Sequence, residues 1–235
     1  MPVEDEHKKT LEKHAKGSHF VYSSYDKVTP EMVKEANIII GNVDPFYLKE
    51  AENLEWLQLN SAGADPYVKK GVLPENVILT NATGAYGPGV AEHMLAVLFS
   101  LQKKLHLYRD NQNQCQWQDE GAVMSLRGGT LLIVGLGDIG LYFARLMKNF
   151  GYRIIGIKRR LGQVPQDIDE LHTMDDLDQL LPEADVVFSV LPDSKATRNI
   201  YNKQRFKEMK NTAILLNAGR GSAVNTEAVS YTHLT

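Results

Sequence analysis

Short apolar runs alternate with polar segments of helical period along the first part of the chain. "HFVYSS" (His19 to Ser24), "NIIIGN" (Asn37 to Asn42), "WLQLNSAG" (Trp56 to Gly63) and "VILTNA" (Val77 to Ala82) predict buried strands. Between them, "PEMVKEA" and "DPFYLKEAENL" predict helices, with Pro30 or Asp44 leading apolar residues at three and four spacing. Strand alternating with helix implies a parallel sheet, since a parallel pair needs a crossover connection. Then "PGVAEHMLAVLFSLQKKLHLYRDNQ", Pro88 to Gln112, predicts one long helix, apolar nearly all round in its first half. That pattern implies a buried helix joining two domains, exposed near Lys103 and Lys104.

A second alternation follows. "TLLIVG", "YRIIGIKRR", "DVVFSVLP" and "TAILLNAG" predict strands; "DIGLYFARLMKNFG", "TMDDLDQLLPEA" and "NKQRFKEMK" predict helices, the first ended by Gly151 and the second capped by Thr173. The expected fold is α/β, with two Rossmann-like or flavodoxin-like domains on parallel sheets, residues 1–98 and 99–235.

Composition narrows the function classes. With 235 residues, 43% of them hydrophobic, the chain fills real cores. A net charge of -3 gives no general attraction to nucleic acid or anionic membranes, and neither is expected as a partner. Cys115 is the single cysteine, so no internal disulfide framework exists, and a cytoplasmic setting is expected. No apolar run approaches the roughly eighteen residues needed to span a bilayer. No metal site is assigned.

The chemistry begins at "GGTLLIVGLGDIG", Gly128 to Gly140. Three glycines at this spacing are a weak signal alone, but here they follow an apolar strand and open a helix. Gly135 is expected to make the tight turn, Gly137 to let backbone approach a pyrophosphate, and Gly140 to let helix pack on strand. The N–H groups of Asp138 and Ile139 would then face the anion at a helix N-terminus. The next strand ends in Lys158, Arg159 and Arg160, where an NAD site normally offers a carboxylate to the ribose hydroxyls. Guanidinium groups can grip a 2'-phosphate, so the reading leans to NADP, with NAD as the alternative cofactor. A solvated basic loop is the other account of these three residues.

With these blocks in view, the chain resembles the D-isomer-specific 2-hydroxyacid dehydrogenases over roughly Asn37 to Val229. "LQLNSAGAD" is similar to the family's substrate loop and "VAEHMLAVLFSL" to its interdomain helix. "VGLGDIG" is similar to its dinucleotide turn, with "VLPDSKATRNIYN" following, and "LLNAGRGSAVNTEAV" to the block holding its catalytic arginine. The resemblance makes residues 1–98 the substrate domain and 99–235 the NAD(P) domain. In "NSAGAD", small residues leave the N–H groups of Ala62, Gly63 and Ala64 open to a carboxylate, or simply make a turn. Leu191 and Pro192, at a strand's C-terminal end, are expected beside the adenosine half of the cofactor. Thr197 would add a hydroxyl to the phosphates or serve its own turn. Ala218 and Gly219, expected among the cofactor-binding residues, lead to Arg220, which the resemblance makes the group that binds the carboxylate and 2-oxo oxygen of a small 2-oxoacid; a surface arginine is the plain alternative. The family usually has Ala or Ser where Gly219 stands, which is expected to loosen the loop.

The resemblance also implies a proton-donating histidine, raised in pKa by a glutamate, downstream of the arginine. His93 lies on the long helix, where a core or interface role is the ordinary one. An amphipathic helix should continue after "NTEAV", whereas "SYTHLT" (Ser230 to Thr235) departs from the pattern. A truncated frame with foreign last residues, an incomplete cofactor domain and little or no turnover are therefore expected. The intact protein is expected to be a homodimer. A catalytically inactive, dinucleotide-sensing regulatory module is the alternative function. A short-chain dehydrogenase is disfavoured because its Tyr-x-x-x-Lys pair is absent around Tyr201 and Lys203, and a methyltransferase would not explain "NAGRG". The substrate's identity, and any part in it for Tyr86, is not legible.

Overall fold

The structure, a computed structural model, describes residues 3–125 and 127–233, with side chains through residue 229. It divides into two compact units, Met1–Thr83 and Gly84–Thr235.

The first unit holds helices α1 (Asp5–His14) and α2 (Pro30–Glu35) and strands β1 (Ile38–Ile40), β2 (Trp56–Gln58) and β3 (Ile78–Thr80). The strands pair in parallel in the order β1-β2-β3. Thr29 starts α2 by accepting the Met32 N–H at its hydroxyl, and Pro30 supplies the fixed φ of a first helical position. Leu57, Leu59, Val33, Leu48 and Leu54 form the core on one face of this sheet.

Three expectations fail here. "HFVYSS" forms no strand: Val21 is 60% exposed and no neighbouring strand takes its backbone. "DPFYLKEAENL" yields only a 3-10 turn at Tyr47–Glu50, opened by the Asp44 carboxylate, which accepts the Phe46 N–H. The strands themselves are not buried on both faces. Ile38, Ile40 and Ile78 point to the uncovered side, beside a polar row in which Trp56 Nε1 donates to Thr80 Oγ1 and Thr80 Oγ1 to Gln58 Oε1.

The second unit begins with α3 (Gly87–Gln102) and α4 (Leu105–Asn113). The single long helix breaks at Lys104, which is left-handed at φ 54. Both lysines turn inward: Lys103 Nζ donates to the Met124 carbonyl at 2.8 Å and Lys104 Nζ to that of Glu120. The two ammonium groups are therefore half-buried, holding the 120–124 segment, rather than marking an exposed helix end. Nor is α3 apolar-buried all round. Ala91 and Leu98 pack into the second unit's core while Leu101 is exposed. This packing puts the helix with the second unit, so the division falls between Thr83 and Gly84 rather than at 98/99.

The rest is β4 (Thr130–Val134), α5 (Asp138–Lys148), β5 (Arg153–Ile157), β6 (Glu170–His172), α6 (Leu177–Leu180), β7 (Val186–Ser189), α7 (Lys203–Glu208), β8 (Ile214–Asn217) and α8 (Thr226–His233). The five strands are parallel in the order β6-β5-β4-β7-β8, a doubly wound sheet. Leu131, Ile133, Ile154 and Phe188 face Phe143, Ala144 and Met147 on one side. Leu132, Val134, Ile155 and Val187 face Leu177, Leu181 and Tyr201 on the other. Each such buried side chain contributes about 1.5–3 kcal/mol. α8 continues as a helix to His233; the remaining two residues of the expected foreign tail, and the side chains of the others, lie outside the described residues. No helix among the described residues is long and apolar enough to cross a membrane.

Candidate functional site

In a doubly wound sheet, the strand order reverses where the first strand meets the fourth, and the loops there diverge to leave a crevice. In this chain that point lies between β4 and β7. The loop after β4 contains the three glycines, and the structure gives each a separate steric reason. Gly135 sits at φ 110, and a Cβ on it would stand 2.5 Å from the Val190 carbonyl oxygen. A Cβ on Gly140 would stand 2.5 Å from the Gly135 oxygen and 3.2 Å from Ile133, so α5 packs directly on its own strand. Gly137 is the opposite case: among the described residues nothing lies within 4 Å of its missing Cβ.

Gly137 is also the N-cap of α5, with no side chain bonded to the first turn. Among the described residues, no acceptor meets the N–H groups of Asp138, Ile139 or Gly140. A helix start with open space above it and unmatched donors fits an anionic diphosphate. The Asp138 carboxylate, which would repel one, lies beside the start of α3: a Cβ on Gly87 would be 2.6 Å from its oxygen.

At the end of β5, Lys158, Arg159 and Arg160 are exposed, and among the described residues none has an ion-pair partner. Six other cations around this sheet are paired. Arg145, Lys148, Arg153, Arg198, Arg205 and Lys210 each hold a carboxylate. Gly156, one residue before Ile157, was not singled out by sequence reasoning. A Cβ there would be 2.2 Å from Leu136, so it admits the side chain that seats the glycine turn.

The loop after β7 places Leu191 buried and Pro192 exposed. Thr197 serves its own turn: its hydroxyl donates to the Pro192 carbonyl at 2.6 Å and accepts the Ser194 N–H at 2.9 Å. That engagement leaves the assignment of Thr197 to the phosphates without geometric support.

The loop after β8 carries Arg220. The Ala218 N–H donates to Ser189, and the Asn217 side chain brackets the turn by accepting from Gly219 N–H and donating to the Arg220 carbonyl. Asn217 had no distinguishing signal in the sequence beyond ending a strand. Gly219 does not loosen the loop. A Cβ there would lie 2.5 Å from the Leu191 oxygen and 2.6 Å from its nitrogen, so glycine lets the two loops close on each other. Arg220 itself is half-buried. Nearby, the Arg198 guanidinium and the Ser222 hydroxyl hold the Asp193 carboxyl well below the usual range, at about 2. Deeper in the same unit, the Ser189 and Tyr201 hydroxyls are buried without a well-formed hydrogen bond, and burial pushes the Tyr201 hydroxyl up.

In the first unit, the loop after β2 is folded by its own polar groups. The Asn42 carboxamide takes the Asn60 N–H and donates to the Ser61 hydroxyl, which donates to the Gly63 carbonyl. Asn81 donates to the Ala62 carbonyl. The carbonyls are thus engaged, whereas no acceptor among the described residues meets the N–H groups of Ala62, Gly63 and Ala64. A shallow groove of about 470 Å³ adjoins it, lined by Ala64, Val68, Leu79, Thr80 and Asn81.

Comparison with known proteins agrees with this geometry. The chain is 30% identical over 203 residues to an uncharacterised protein in the proB 3' region of Corynebacterium melassecola, covering 84% of this chain and 66% of that protein. It is 26% identical to a D-lactate dehydrogenase of Streptococcus pyogenes serotype M1, covering 85% and 63% respectively. The chain thus spans just under two thirds of these relatives' length. A crystal structure of a D-isomer specific 2-hydroxyacid dehydrogenase family protein from Aeromonas salmonicida superposes with a TM-score of 0.84 at 32% identity, over 98% of this chain and 75% of that one. The NAD binding domain profile of the D-isomer specific 2-hydroxyacid dehydrogenases matches residues 95–232, and this chain belongs to that family.

Proposed function

We propose that the chain binds NADPH in preference to NADH and belongs to a reductase of small 2-oxoacids, yielding D-2-hydroxyacids. The observation that carries the cofactor preference is the exposed trio Lys158, Arg159 and Arg160 at the end of β5, none with an ion-pair partner among the described residues, whereas Arg145, Lys148, Arg153, Arg198, Arg205 and Lys210 of the same unit each hold a carboxylate. A 2'-phosphate brings two negative charges to the place where these side chains stand, and Arg meets phosphate with paired hydrogen bonds.

The bound nicotinamide supplies a hydride to the 2-oxo carbon. The chain's residues bind and orient. Asp138 and Ile139 offer N–H groups to the pyrophosphate, Gly137 leaves it room, and Leu191 and Pro192 flank the adenosine side. Arg220 binds the carboxylate and the 2-oxo oxygen, holding the carbonyl in line and stabilising negative charge as it develops. The N–H groups of Ala62, Gly63 and Ala64 form a further carboxylate-binding nest. The resulting alkoxide needs a proton, and the sequence reading locates its donor downstream of Arg220 in relatives.

The test compares both coenzymes. Arg159→Ala with Arg160→Ala should weaken NADPH about a hundredfold and NADH less than threefold; equal losses contradict the preference. We propose further that a second copy covers the exposed Leu101, Leu105, Leu107 and Trp117 of the second unit. Sedimentation showing only monomer at tens of micromolar would contradict that.

A further inference from the structure

We propose that Asp193 is a positioning residue for Arg220, tying the loop that carries Leu191 and Pro192 to the loop that carries the arginine. This rests on the reading of Arg220 given above. Asp193 Oδ1 accepts from the Ser222 hydroxyl at 2.8 Å and from Arg198 Nε at 2.9 Å, while Oδ2 accepts from Arg198 Nη2 at 2.7 Å. One carboxylate therefore joins a residue of its own loop to a residue two places beyond Arg220.

The backbone follows the same seam. The Asn199 N–H, from a left-handed residue at φ 52, donates to the Ser222 carbonyl at 2.8 Å. The Tyr201 N–H donates to Ala223, and the Asn225 N–H returns to Tyr201. Upstream of the arginine, Gly219 closes on Leu191 with no room for a Cβ; immediately downstream, Gly221 has nothing within 4 Å of its own. The turn past Arg220 is closed locally, the Arg220 carbonyl accepting from the Asn217 side chain and the Ala223 N–H and the Gly221 carbonyl from the Val224 N–H. The side-chain tether from this turn to the neighbouring loop is Ser222 on Asp193.

The fork–fork pair with Arg198 has a second consequence. Asp193 is close enough to feel the Arg220 charge, yet Arg198 engages both of its oxygens. A carboxylate so occupied is a poor competitor for the guanidinium that has to receive the substrate's carboxylate. The loop touching the cofactor and the cation touching the substrate are therefore set as one piece.

The experiment uses the whole chain, with oxamate as an unreactive 2-oxoacid analogue and NADPH present. Asp193→Ala should speed amide exchange across residues 220–225 about tenfold and raise the oxamate dissociation constant about tenfold, while that of NADPH changes less than twofold. Arg198→Ala, which frees a carboxylate beside Arg220, should weaken oxamate at least as much. Adding Asp193→Ala to it should bring oxamate binding to the level of Asp193→Ala alone, because the competing carboxylate is then gone and only the lost Ser222 tether remains. Unchanged exchange in Asp193→Ala overturns the tether even if the unaltered chain binds oxamate well. Parallel loss of NADPH and oxamate overturns it too, as that marks general disruption. Faster exchange in a chain whose unaltered form never binds oxamate supports the tether and instead removes the role given to Arg220.

Discussion

The two sheets of this protein are built alike and finished differently. In the second unit, β4, β5 and β7 carry fully buried runs on both faces, with α3 and α5 on one side and α6 and α7 on the other. In the first, β1 reads exposed, half-buried, exposed, and Ile38, Ile40 and Ile78 meet solvent. A parallel sheet is ordinarily covered on both faces. The second unit satisfies that rule with the residues in hand; the first satisfies it on one face only.

Substitutions at matched places should expose this difference. Gly135→Ala combines a forbidden φ with a 2.5 Å approach to the Val190 oxygen, so it should lower stability by about 3 kcal/mol or more and abolish dinucleotide binding. Ile155→Ala, in the covered sheet, should cost about 2–5 kcal/mol in urea unfolding. Ile38→Thr, in the uncovered face, should stay within about 0.5 kcal/mol and raise solubility. A large loss from Ile38→Thr would mean that its face is covered after all.

Acid should act through the tether. The folded Asp193 carboxyl lies at about 2, below its ordinary 3.8, so its stabilising effect is complete above the ordinary value and fades as pH falls towards 2. The difference in urea midpoint between the unaltered chain and Asp193→Asn should be constant above about pH 5 and shrink below about pH 4. The smallest effect is expected at Tyr201→Phe. It removes a buried hydroxyl that lacks a well-formed bond, so the melting temperature should hold or rise slightly.

The sequence was most legible where one residue had to satisfy one steric demand. The three glycines and the second run of strands follow from spacing, because continuous apolar runs suffice for a sheet covered on both faces. The first unit misled: "HFVYSS" has strand composition, but a ladder needs a neighbour that composition does not reveal. The helix break at Lys104 was hidden because lysine favours helix locally, while the carbonyls that draw Lys103 and Lys104 inward lie at Met124 and Glu120. Gly219 was misjudged for the same reason, since its need is set by Leu191, far away in the chain. Asp193 and Ser222 stayed invisible as site residues because they meet each other across two loops, and Asn217 because its bonds to Gly219 and Arg220 leave no mark in the spacing.

Gly137 offers the most direct test of the central claim, that the start of α5 cradles the dinucleotide. Among the described residues nothing lies within 4 Å of a Cβ placed there, so Gly137→Val should keep stability within about 1 kcal/mol. Calorimetric titration of the unaltered chain with NADPH should show one site per chain, and Gly137→Val should weaken it at least about a hundredfold, since its side chain occupies the phosphate position. Undiminished NADPH binding by a well-folded Gly137→Val chain, or no heat from the unaltered chain, would contradict the account.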